Sequence, residues 1–583
     1  MLQGWIQIAI FFAALVAIVP LLGGYMARVF TGQPVVLERV FGPVERLIYT
    51  AIRVKPDRGQ DWKTYARSVI FFSIASWVAL YLIMRLQGVL PGNPEGFKAP
   101  PWDLSFNTAS SFVTNTNWQY YGGETTMSYS TQMVGLAVQN FVSAAVGIAV
   151  LIAVVRGIAS RSGSSLGNFW QDTTRAILYV LLPIAFVAAL VLVSQGVIQS
   201  FSSYTDITGV AGSVQNFAFG PVASQEAIKE LGTNGGGFFN VNSAMPFENP
   251  SGLTNFIEML LVLSIPAALT FTYGRMVGNR RQGWALFAAM SVMFIAAVAV
   301  VYNAESSPTP AMDAAGVSAQ AVDGTTGGNM LDKEQRFGIA NSALFNAVTT
   351  VTSCGAVNSA MQSFSGVGGA VPMASIGTSE VIFGGVGSGL YGMLLFVILA
   401  VFIGGLMVGR TPEYLGKKIE AREIKLATLG ALYMPFAVLI ATSLAVGTEH
   451  GTKSNYSGGP QGFSETFYAY LSQGNNNGSA FAGYTGFVQP EPGNAGSFGI
   501  TFADLLGGGT MLFVRFIPIL LVLAIAGSLA GKKVAPTGLG TLRTDSPTFI
   551  VLLMGIVVLI GALTFFPALL LGPIVQGITQ ELF

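Results

Sequence analysis

Four short runs of small, neutral, oxygen-bearing residues recur along this chain at nearly equal spacing. Each run is four residues long and ends in asparagine or glycine. In chain order they are Thr114-Asn115-Thr116-Asn117, Gly232-Thr233-Asn234-Gly235, Thr352-Ser353-Cys354-Gly355 and Asn475-Asn476-Asn477-Gly478, here called loops one to four. Their last residues are 118, 120 and 123 positions apart. A nearly fixed period indicates a duplicated unit.

The chemistry available to such loops is the coordination of a monovalent cation. Backbone carbonyls from four converging loops can replace the hydration shell of a large, weakly hydrated ion. Glycine, and to a lesser degree asparagine, tolerates the backbone dihedrals that turn successive carbonyls toward one axis. No carboxylate, the ligand that divalent ions prefer, lies within the four loops. A single run of this composition is typical of a surface turn, but four in register predict a site for an ion such as potassium.

The four loops lie between apolar segments long enough to cross a membrane. The chain is 52% hydrophobic and 10% charged, whereas ordinary soluble domains carry about 25% charged residues. A helix crosses the hydrocarbon core with about 20 apolar residues. Ten segments meet this test: 5–27, 66–87, 129–155, 174–199, 252–274, 284–303, 379–409, 426–447, 505–530 and 547–572. We therefore predict an all-α polytopic membrane protein with ten transmembrane helices.

Each loop follows an apolar stretch that is too short to span a membrane. These stretches run from Leu104 to Val113, Ser224 to Leu231, Phe337 to Val351 and Phe463 to Leu471, and they are candidate re-entrant helices. A helix, a re-entrant helix with its pore loop and a returning helix make one membrane–pore–membrane repeat. Four repeats use eight spans, and two helices flank them. The predicted divisions are 1–60 (first transmembrane helix and basic cytoplasmic loop), 61–160, 161–280, 281–415 and 416–535 (repeats one to four) and 536–583 (last transmembrane helix).

The charged residues set the orientation and exclude several classes of protein. Twenty-two of the 29 Lys and Arg residues lie in the loops that follow spans one, three, five, seven and nine. By the positive-inside rule these loops are cytoplasmic and both termini lie on the extracytoplasmic side. Because 28 Asp and Glu balance the basic residues, no basic surface for nucleic acid is expected. One Cys and one His exclude a disulfide framework and a Cys-rich metal site.

Two charged residues fall inside predicted spans. Glu380 opens span seven and Arg515 lies near the middle of span nine. Intramembrane charges face a cavity or a partner, so we expect both to face the ion path and to pair there as a gate. An ion pair that only locks two helices satisfies the same rule. Span seven is also broken by glycines, which predicts a helix–loop–helix below the four loops; they are Gly384, Gly385, Gly387 and Gly389.

A third acidic residue, Glu258, lies in span five. It is a weaker candidate for the ion path, with hydration near the membrane surface as the simpler expectation.

No sequence for using ATP accompanies these features. The nearest approach to a phosphate loop, Gly527 to Lys533, has the wrong spacing and lacks Ser or Thr after Lys. No Asp-Lys-Thr-Gly phosphorylation sequence is present. The chain alone is therefore not expected to bind nucleotide or to hydrolyse ATP.

Several long strings are specific enough to indicate a family. They are Ser111 to Gln119, Gly220 to Lys229, Leu231 to Asn240, Pro246 to Pro250, Ser353 to Val357, Phe383 to Gly392, Gly409 to Lys418 and Asn475 to Gly483. Together they closely resemble the potassium-binding A subunit family (KdpA) of the bacterial potassium-transporting ATPases, across essentially the whole chain. Two features depart from the family pattern: the loop from Tyr484 to Thr501 is longer, and Gln473-Gly474 is atypical.

This resemblance implies a function and a set of partners. A member of the family belongs to the channel-like superfamily of potassium transporters in the bacterial inner membrane. It captures external potassium and passes it to a separate P-type ATPase subunit, and two small single-span subunits and membrane lipid complete its surroundings. By matching position, the resemblance implies that loops one to four form the potassium filter and that Gln119 lies beside it and shapes ion affinity. It also implies that Arg410, which ends span seven at the cytoplasmic face, belongs to the gate or the ion path.

Two alternatives remain open from the sequence. A self-sufficient potassium channel or cation symporter of the same superfamily would carry the same filter, so the filter cannot separate it from a pump subunit. A companion chain carrying Asp-Lys-Thr-Gly would favour the pump. A membrane-embedded enzyme using Asn, Ser and Cys354 is a third reading, but no general base accompanies Cys354 in any recognisable motif.

Overall fold

The computed structural model describes residues 2–161, 163–316, 327–407, 409–486, 501–535 and 542–579. The first α-helices are α1 (Leu2–Phe30), α2 (Glu38–Ala51), α3 (Trp62–Leu86), α4 (Trp102–Val113), α5 (Gly123–Thr126), α6 (Val138–Ala159), α7 (Phe169–Arg175), α8 (Leu182–Ser194), α9 (Val222–Leu231) and α10 (Gly252–Met276). They are followed by α11 (Arg280–Glu305), α12 (Pro310–Ala314), α13 (Gly338–Val351), α14 (Gly366–Gly377), α15 (Ser388–Met407), α16 (Ala421–Val446), α17 (Glu449–Thr452), α18 (Gly459–Gln473), α19 (Thr501–Ala530), α20 (Pro547–Leu569) and α21 (Val575–Ile578).

The remaining regular structure is short. Turns of π-helix lie at Thr131–Ala137, Ala176–Leu181 and Leu570–Ile574, and 3₁₀ turns at Asn242–Ala244 and Met361–Ser363. Strands β1 (Thr205–Thr208) and β2 (Val214–Phe217) form one antiparallel hairpin, and β3 (Glu413–Tyr414) and β4 (Lys417–Lys418) form another. The regular secondary structure of the described residues is therefore mostly helical, as predicted.

Within the described residues, ten helical segments are long and apolar enough to cross a membrane. They are Leu2–Phe30, Trp62–Leu86, Thr131–Ala159, Phe169–Ser194, Gly252–Met276, Arg280–Ala314, Ser388–Met407, Ala421–Val446, Phe502–Ala530 and Pro547–Ile578. The prediction of an all-α protein with ten such helices is confirmed. We call the end of the bundle that carries the basic loops its basic end, and the end near loops one to four its filter end.

Polar caps fix where several of these helices begin. The Asp61 carboxylate accepts from the Thr64 backbone N–H at 3.1 Å, the Asn279 side chain from Arg281 N–H at 3.1 Å, and the Ser546 hydroxyl from Phe549 N–H at 3.3 Å. Each cap satisfies an N–H group that has no partner in the first helical turn. A short polar side chain at the N-cap therefore defines where each of these long apolar helices begins.

The predicted span seven is wrong in its first part. Residues 379–387 are not helical, and the spanning helix α15 begins only at Ser388. The helix before the break is α14, Gly366–Gly377, which the sequence reading did not predict. Residues Gly384 and Gly387 have φ of +63° and +88°, a left-handed backbone that interrupts a helix. The break therefore lies between two separate helices.

The helices differ in how much of their surface is covered by protein. Most of α6 and α10 is buried, whereas only 22%, 22% and 28% of the most apolar stretches of α1, α3 and α20 is buried. Glycine lets neighbouring helices approach closely: a β-carbon on Gly157 of α6 would lie 2.6 Å from Ala526 O of α19, and one on Gly23 of α1 would lie 2.4 Å from Ala268 O of α10. The core thus surrounds α6 and α10.

Residues 487–500, most of the long loop noted in the sequence, lie outside the described residues.

A buried ion pair near the basic end gives a prediction for stability. The Arg156 guanidinium donates to both carboxylate oxygens of Asp172 at 2.6 and 2.8 Å, and the Tyr65 hydroxyl donates to the same carboxylate at 3.0 Å. The Asp172 side chain is 1% exposed. Breaking a buried pair leaves a charge without compensation, so Asp172→Asn is expected to lower the free energy of unfolding by about 3 kcal/mol, measured by thermal unfolding in detergent.

The matched control is the exposed pair Arg543–Asp545, whose nitrogen and oxygen lie 3.4 Å apart with the arginine side chain 71% exposed. Exposed pairs contribute about 0–1 kcal/mol, so Asp545→Asn is expected to leave the unfolding temperature nearly unchanged. Equal effects of the two substitutions would contradict the structural role given to Asp172.

Candidate ion-binding site

Loops one to four all begin at or just beyond the C-terminal end of a short buried helix. Loop one follows α4, loop two follows α9 and loop three follows α13 without an intervening residue, and loop four begins two residues after α18. The C-terminal end of a helix carries a partial negative charge from its unpaired carbonyls. Four such ends directed at the loops favour a cation there. Each short helix lies within one of the four apolar stretches identified in the sequence or overlaps it.

Left-handed residues recur at alternate positions in the backbone of the loops. The fourth residue of every loop is left-handed, with φ of +55° at Asn117, +72° at Gly235, +87° at Gly355 and +100° at Gly478. The second residue is also left-handed in loops one, two and four, at Asn115, Thr233 and Asn476. Alternation of this kind turns successive carbonyls toward the same side of the chain, the arrangement that a carbonyl-lined ion site requires.

Close backbone contacts join the loops into a closed ring. A β-carbon on Gly235 would lie 1.8 Å from Cys354 O, one on Gly355 2.3 Å from Asn477 O, and one on Gly478 1.9 Å from Thr116 O. The Asn117 amide donates to Gly235 O at 2.8 Å. Loop two therefore packs against loop three, loop three against loop four, loop four against loop one, and loop one against loop two. Only glycine fits three of these four contacts.

The asparagine side chains of the loops hold neighbouring loops together. The Asn115 amide donates to Thr233 O at 2.8 Å, and the Asn234 amide donates to the Asn115 side-chain oxygen at 2.6 Å. The Asn477 amide donates to Thr352 O at 2.9 Å, and the Asn476 amide to the Thr116 hydroxyl at 2.9 Å. These amides act as clamps between neighbouring loops, and two of them do so by donating to ring carbonyls, those of Thr233 and Thr352.

The ring opens at the filter end into a cavity of about 1000 Å³. Its lining includes Asn117, Gly236, Gly355 and Gly478 beside the ring. Gln119, which also lines it, donates to Gly237 O at 3.2 Å and accepts from Gly237 N–H at 3.1 Å. Gln119 thus holds the backbone of Gly237, two residues after loop two. Through this contact the Gln119 side chain is linked to the ring without touching its carbonyls.

A small cavity of about 50 Å³ lies on the other side of the ring, lined by Ser353, Glu380, Asn475, Asn476 and Arg515 among others. The Glu380 carboxylate accepts from the Ser353 hydroxyl and from the Asn477 amide at 2.8 Å. Glu380 and Arg515 therefore line one cavity directly beneath the ring.

The glycine break seen in the fold runs against the same face of the ring. Gly384 N–H donates to Val351 O at 2.8 Å, and Val386 N–H donates to the Thr233 hydroxyl at 3.0 Å. A β-carbon on Gly385 would lie 3.2 Å from that of Ser353, and one on Gly389 only 1.8 Å from Phe383 O. The four glycines therefore lie in a tight loop that contacts loops two and three.

Comparison with known proteins identifies the family. A family model described as "Potassium-transporting ATPase A subunit" matches residues 9–578. The chain belongs to this family. It is 52% identical over 579 residues to the potassium-transporting ATPase potassium-binding subunit of Mesorhizobium japonicum, with 99% of each chain covered. It is 53% identical over 583 residues to the subunit of the same name from Sorangium cellulosum, with 98% of each covered.

The fold of this A subunit also resembles a solved transporter. The crystal structure of the potassium transporter TrkH from Vibrio parahaemolyticus superimposes with a TM-score of 0.50, covering 80% of this chain and 85% of that one. The two sequences are 14% identical, so the likeness concerns the fold. It supports the channel-like membrane fold that was predicted from the sequence.

The positions or contacts of four charged residues differ from what the sequence predicted. Glu380 and Arg515 form no ion pair within 4.0 Å although both are described. Arg410 is exposed at the basic end, outside the small cavity. Glu258 is fully buried rather than hydrated; its carboxylate lies within 4.8 Å of those of Glu226 and Glu230. The expectation of a hydrated Glu258 was wrong because the segment before α10 folds over it.

A cluster of buried charged side chains behind loop two was not predicted from the sequence. Glu226, Lys229 and Glu230 of α9 are all at most 1% exposed, as is Glu248. The Glu230 carboxylate accepts from the Cys354 thiol at 3.4 Å, which connects the cluster to loop three. The spacing of Glu226, Lys229 and Glu230 along one helix was visible in the sequence. It reads equally well as a solvated helix face, so only the fold reveals their burial.

Proposed function

We propose that this chain is the potassium-selecting subunit of an ATP-driven uptake complex. It binds external potassium in the ring of loops one to four and passes the ion to a P-type ATPase subunit. The observation that carries the proposal is the closed ring itself, with left-handed residues at all four fourth positions and no carboxylate among its sixteen residues. Relatives named as potassium-binding subunits along almost their full length support it.

The chemistry of the ring favours potassium over smaller and divalent ions. Neutral carbonyl oxygens replace the shell of a weakly hydrated ion at low cost, whereas divalent ions are held by carboxylates. The carboxylates of Glu230 and Glu380 lie behind the ring and bond to loop side chains. They hold the loops in place without offering direct ligands, which leaves selectivity to the carbonyl geometry.

The experiment that tests the function compares the chain alone with the complete complex in liposomes. We expect potassium uptake that requires ATP and the ATPase subunit, with little flux through the chain alone. Rapid passive potassium flux through the purified chain would instead favour a self-sufficient channel or symporter, the alternative that shares the same ring.

The proposed orientation places the basic end in the cytoplasm of a bacterium and both termini outside the inner membrane. The support is the concentration of 22 of 29 basic residues at that end. Because Cys354 is fully buried, an introduced cysteine is the accessible thiol. Ser202→Cys in the loop before β1 should react with an impermeant thiol reagent added outside, and Thr31→Cys at the end of α1 should not. The reverse pattern would invert the proposed topology.

Four membrane–pore–membrane repeats are part of the same proposal, with the boundaries 61–160, 161–280, 281–415 and 416–535. Each division contains a short helix and its loop, and spanning helices precede and follow them. The peripheral positions of α1 and α20 support their assignment as flanking helices in 1–60 and 536–583. The proposal also includes two small single-span subunits and membrane lipid as neighbours of the exposed apolar surface.

Glu380 and Arg515 form the proposed gate below the ring. The guanidinium places a positive charge beside the small cavity, where it opposes passage of a cation straight through the chain. Glu380 lies just below the ring, where it accepts from the Ser353 hydroxyl and the Asn477 amide and so joins the gate to loops three and four. A purely structural arginine would stabilise α19 without affecting ion movement.

Arg515→Ala gives a prediction that separates these two roles. We expect passive potassium leak through the chain to rise and ATP-driven uptake by the complex to fall by about tenfold, the effect of roughly 1.4 kcal/mol on a barrier. Both are measured as potassium flux in liposomes. Arg410→Ala, an exposed arginine at the basic end, is the control and should not alter passive leak. Near-normal affinity and transport in Arg515→Ala would rule out the gate.

A further inference from the structure

The ammonium group of Lys229 lies directly behind the filter ring in a site closed to water. Its side chain is 0% exposed. The ammonium donates to Gly236 O at 2.7 Å and contacts carboxylate oxygens of Glu226 at 2.8 Å and Glu248 at 3.1 Å. A lysine is rarely buried to this degree without partners, and here three partners with suitable distances satisfy its three donors.

These partners lie at the start and at the exit of loop two. Lys229 belongs to the last turn of α9, and its own carbonyl accepts from Asn234 N–H at 2.9 Å. Gly236 is the first residue after the loop. Glu248 also accepts from Phe239 N–H at 2.8 Å, which fixes the chain that leads away. The lysine therefore ties the helix before loop two to the chain after it.

The Gly236 carbonyl is the contact through which this tie reaches the ring. Gly235 and Gly236 both have left-handed backbones, with φ of +72° and +67°. Glycine at these positions can adopt several other conformations, so an external contact is needed to select one. Holding the carbonyl of Gly236 fixes the plane of the peptide between Gly236 and Gly237 and limits rotation at Gly236. Gly236 directly follows Gly235, whose own carbonyl accepts from Asn117.

We propose that Lys229 is a positioning residue for potassium selection: by holding the Gly236 carbonyl from behind, it keeps the backbone of loop two in the geometry that binds the ion. The proposal rests on the function proposed above and adds a residue to it. Lys229 does not touch the ion. Its charge is offset by Glu226 and Glu248, and its effect is exerted through one backbone carbonyl.

The chain offers a matched control in a second buried lysine. The Lys333 side chain is also 0% exposed, and its ammonium contacts a Glu305 oxygen at 2.8 Å and lies 4.2 Å from the centre of the Phe364 ring. Loss of a buried lysine costs stability at either position. Of these two lysines, only Lys229 donates to a backbone carbonyl next to a filter loop, that of Gly236.

The test uses the complete complex and measures potassium-stimulated ATP hydrolysis. Lys229→Met should raise the potassium concentration for half-maximal activity at least tenfold, reduce the preference for potassium over rubidium, and keep the maximal rate within about twofold. Lys229→Arg, which retains charge and donors, should recover part of the affinity. Lys333→Met should leave both affinity and preference within twofold even where it lowers the unfolding temperature. This split between half-saturation and maximal rate is not expected from general destabilisation.

Two results would overturn the role of Lys229. One is a folded Lys229→Met complex with unchanged half-saturation and ion preference; the other is an equal shift in Lys333→Met. If the single substitution does not fold because Glu226 is left unpaired, Lys229→Met with Glu226→Gln removes that charge and should show the same loss of affinity; normal affinity in it would also overturn the role. A wild-type complex without potassium-stimulated hydrolysis would instead overturn the proposed function, and this role with it.

Discussion

Serine in place of Gly235 is expected to weaken potassium binding by about tenfold or more and to admit competing ions. Gly235 has φ of +72°, and a β-carbon there would lie 1.8 Å from Cys354 O. Backbone strain of this kind costs about 1–3 kcal/mol, and 1.4 kcal/mol is tenfold in affinity. Since Cys354 belongs to loop three, the displacement would spread across two loops of the ring. The measurement is the potassium and rubidium dependence of ATP hydrolysis by the complex.

Gly278→Ser separates the loss of ring geometry from the strain of a left-handed backbone. Gly278 has φ of +75°, but nothing lies within 4 Å of the β-carbon position. This substitution should cost some stability and leave ion affinity and selectivity unchanged. Unchanged affinity and selectivity in Gly235→Ser would count against the four-loop site.

Alanine in place of Gly387 is expected to abolish most transport. The β-carbon would lie 2.1 Å from Gly147 O and 2.9 Å from Ile148 N, both backbone atoms of the buried helix α6. These atoms cannot move aside as a flexible side chain can, so the break must shift and the bond from Val386 N–H to Thr233 would be lost. Overpacking of this kind costs about 3 kcal/mol. Potassium uptake and the folded fraction of the complex are the two measurements.

The control for Gly387 is Gly338→Ala, at a residue with φ of +65° and no atom within 4 Å of the β-carbon position. It should fold and transport close to normally. Transport by Gly387→Ala at the wild-type rate would show that the break below the ring tolerates movement, contrary to the role given to it here.

The sequence was sufficient for features that depend on local composition. A span needs only about 20 apolar residues, so the ten helices follow from hydropathy alone. The loops were found because glycine or asparagine at a fourth position has a specific backbone use. All four of these positions do have left-handed φ. The order of short helix, loop and spanning helix at each of the four loops also follows from the hydropathy of neighbouring residues.

Features that depend on distant contacts were not predicted. The helix before the glycine break was missed because Gly366–Gly377 is too short and too rich in glycine to stand out in hydropathy. The amide of Asn477 donates to Thr352 O and to Glu380, which are 125 and 97 residues away in sequence. Such pairings require knowledge of which loops meet.

The burial of charge was the least predictable part. Lys229 and Glu226 lie in a helix whose composition suits a solvated surface, and Glu258 lies in a span near its end. Their common environment arises because the chain between Gly236 and Ser251 folds back over α9 and the start of α10, where Ser243 donates to Glu226 at 3.1 Å. No periodic pattern within any single helix encodes that fold-back.

The most direct measurement of the central claim is a structure of the complete complex determined separately in potassium and in sodium. An ion enclosed by the backbone carbonyls of loops one to four, present in potassium and absent or displaced in sodium, is the predicted result. A ring that is empty in potassium, or that holds the same density in both salts, would contradict the assignment of these loops as the site of potassium selection.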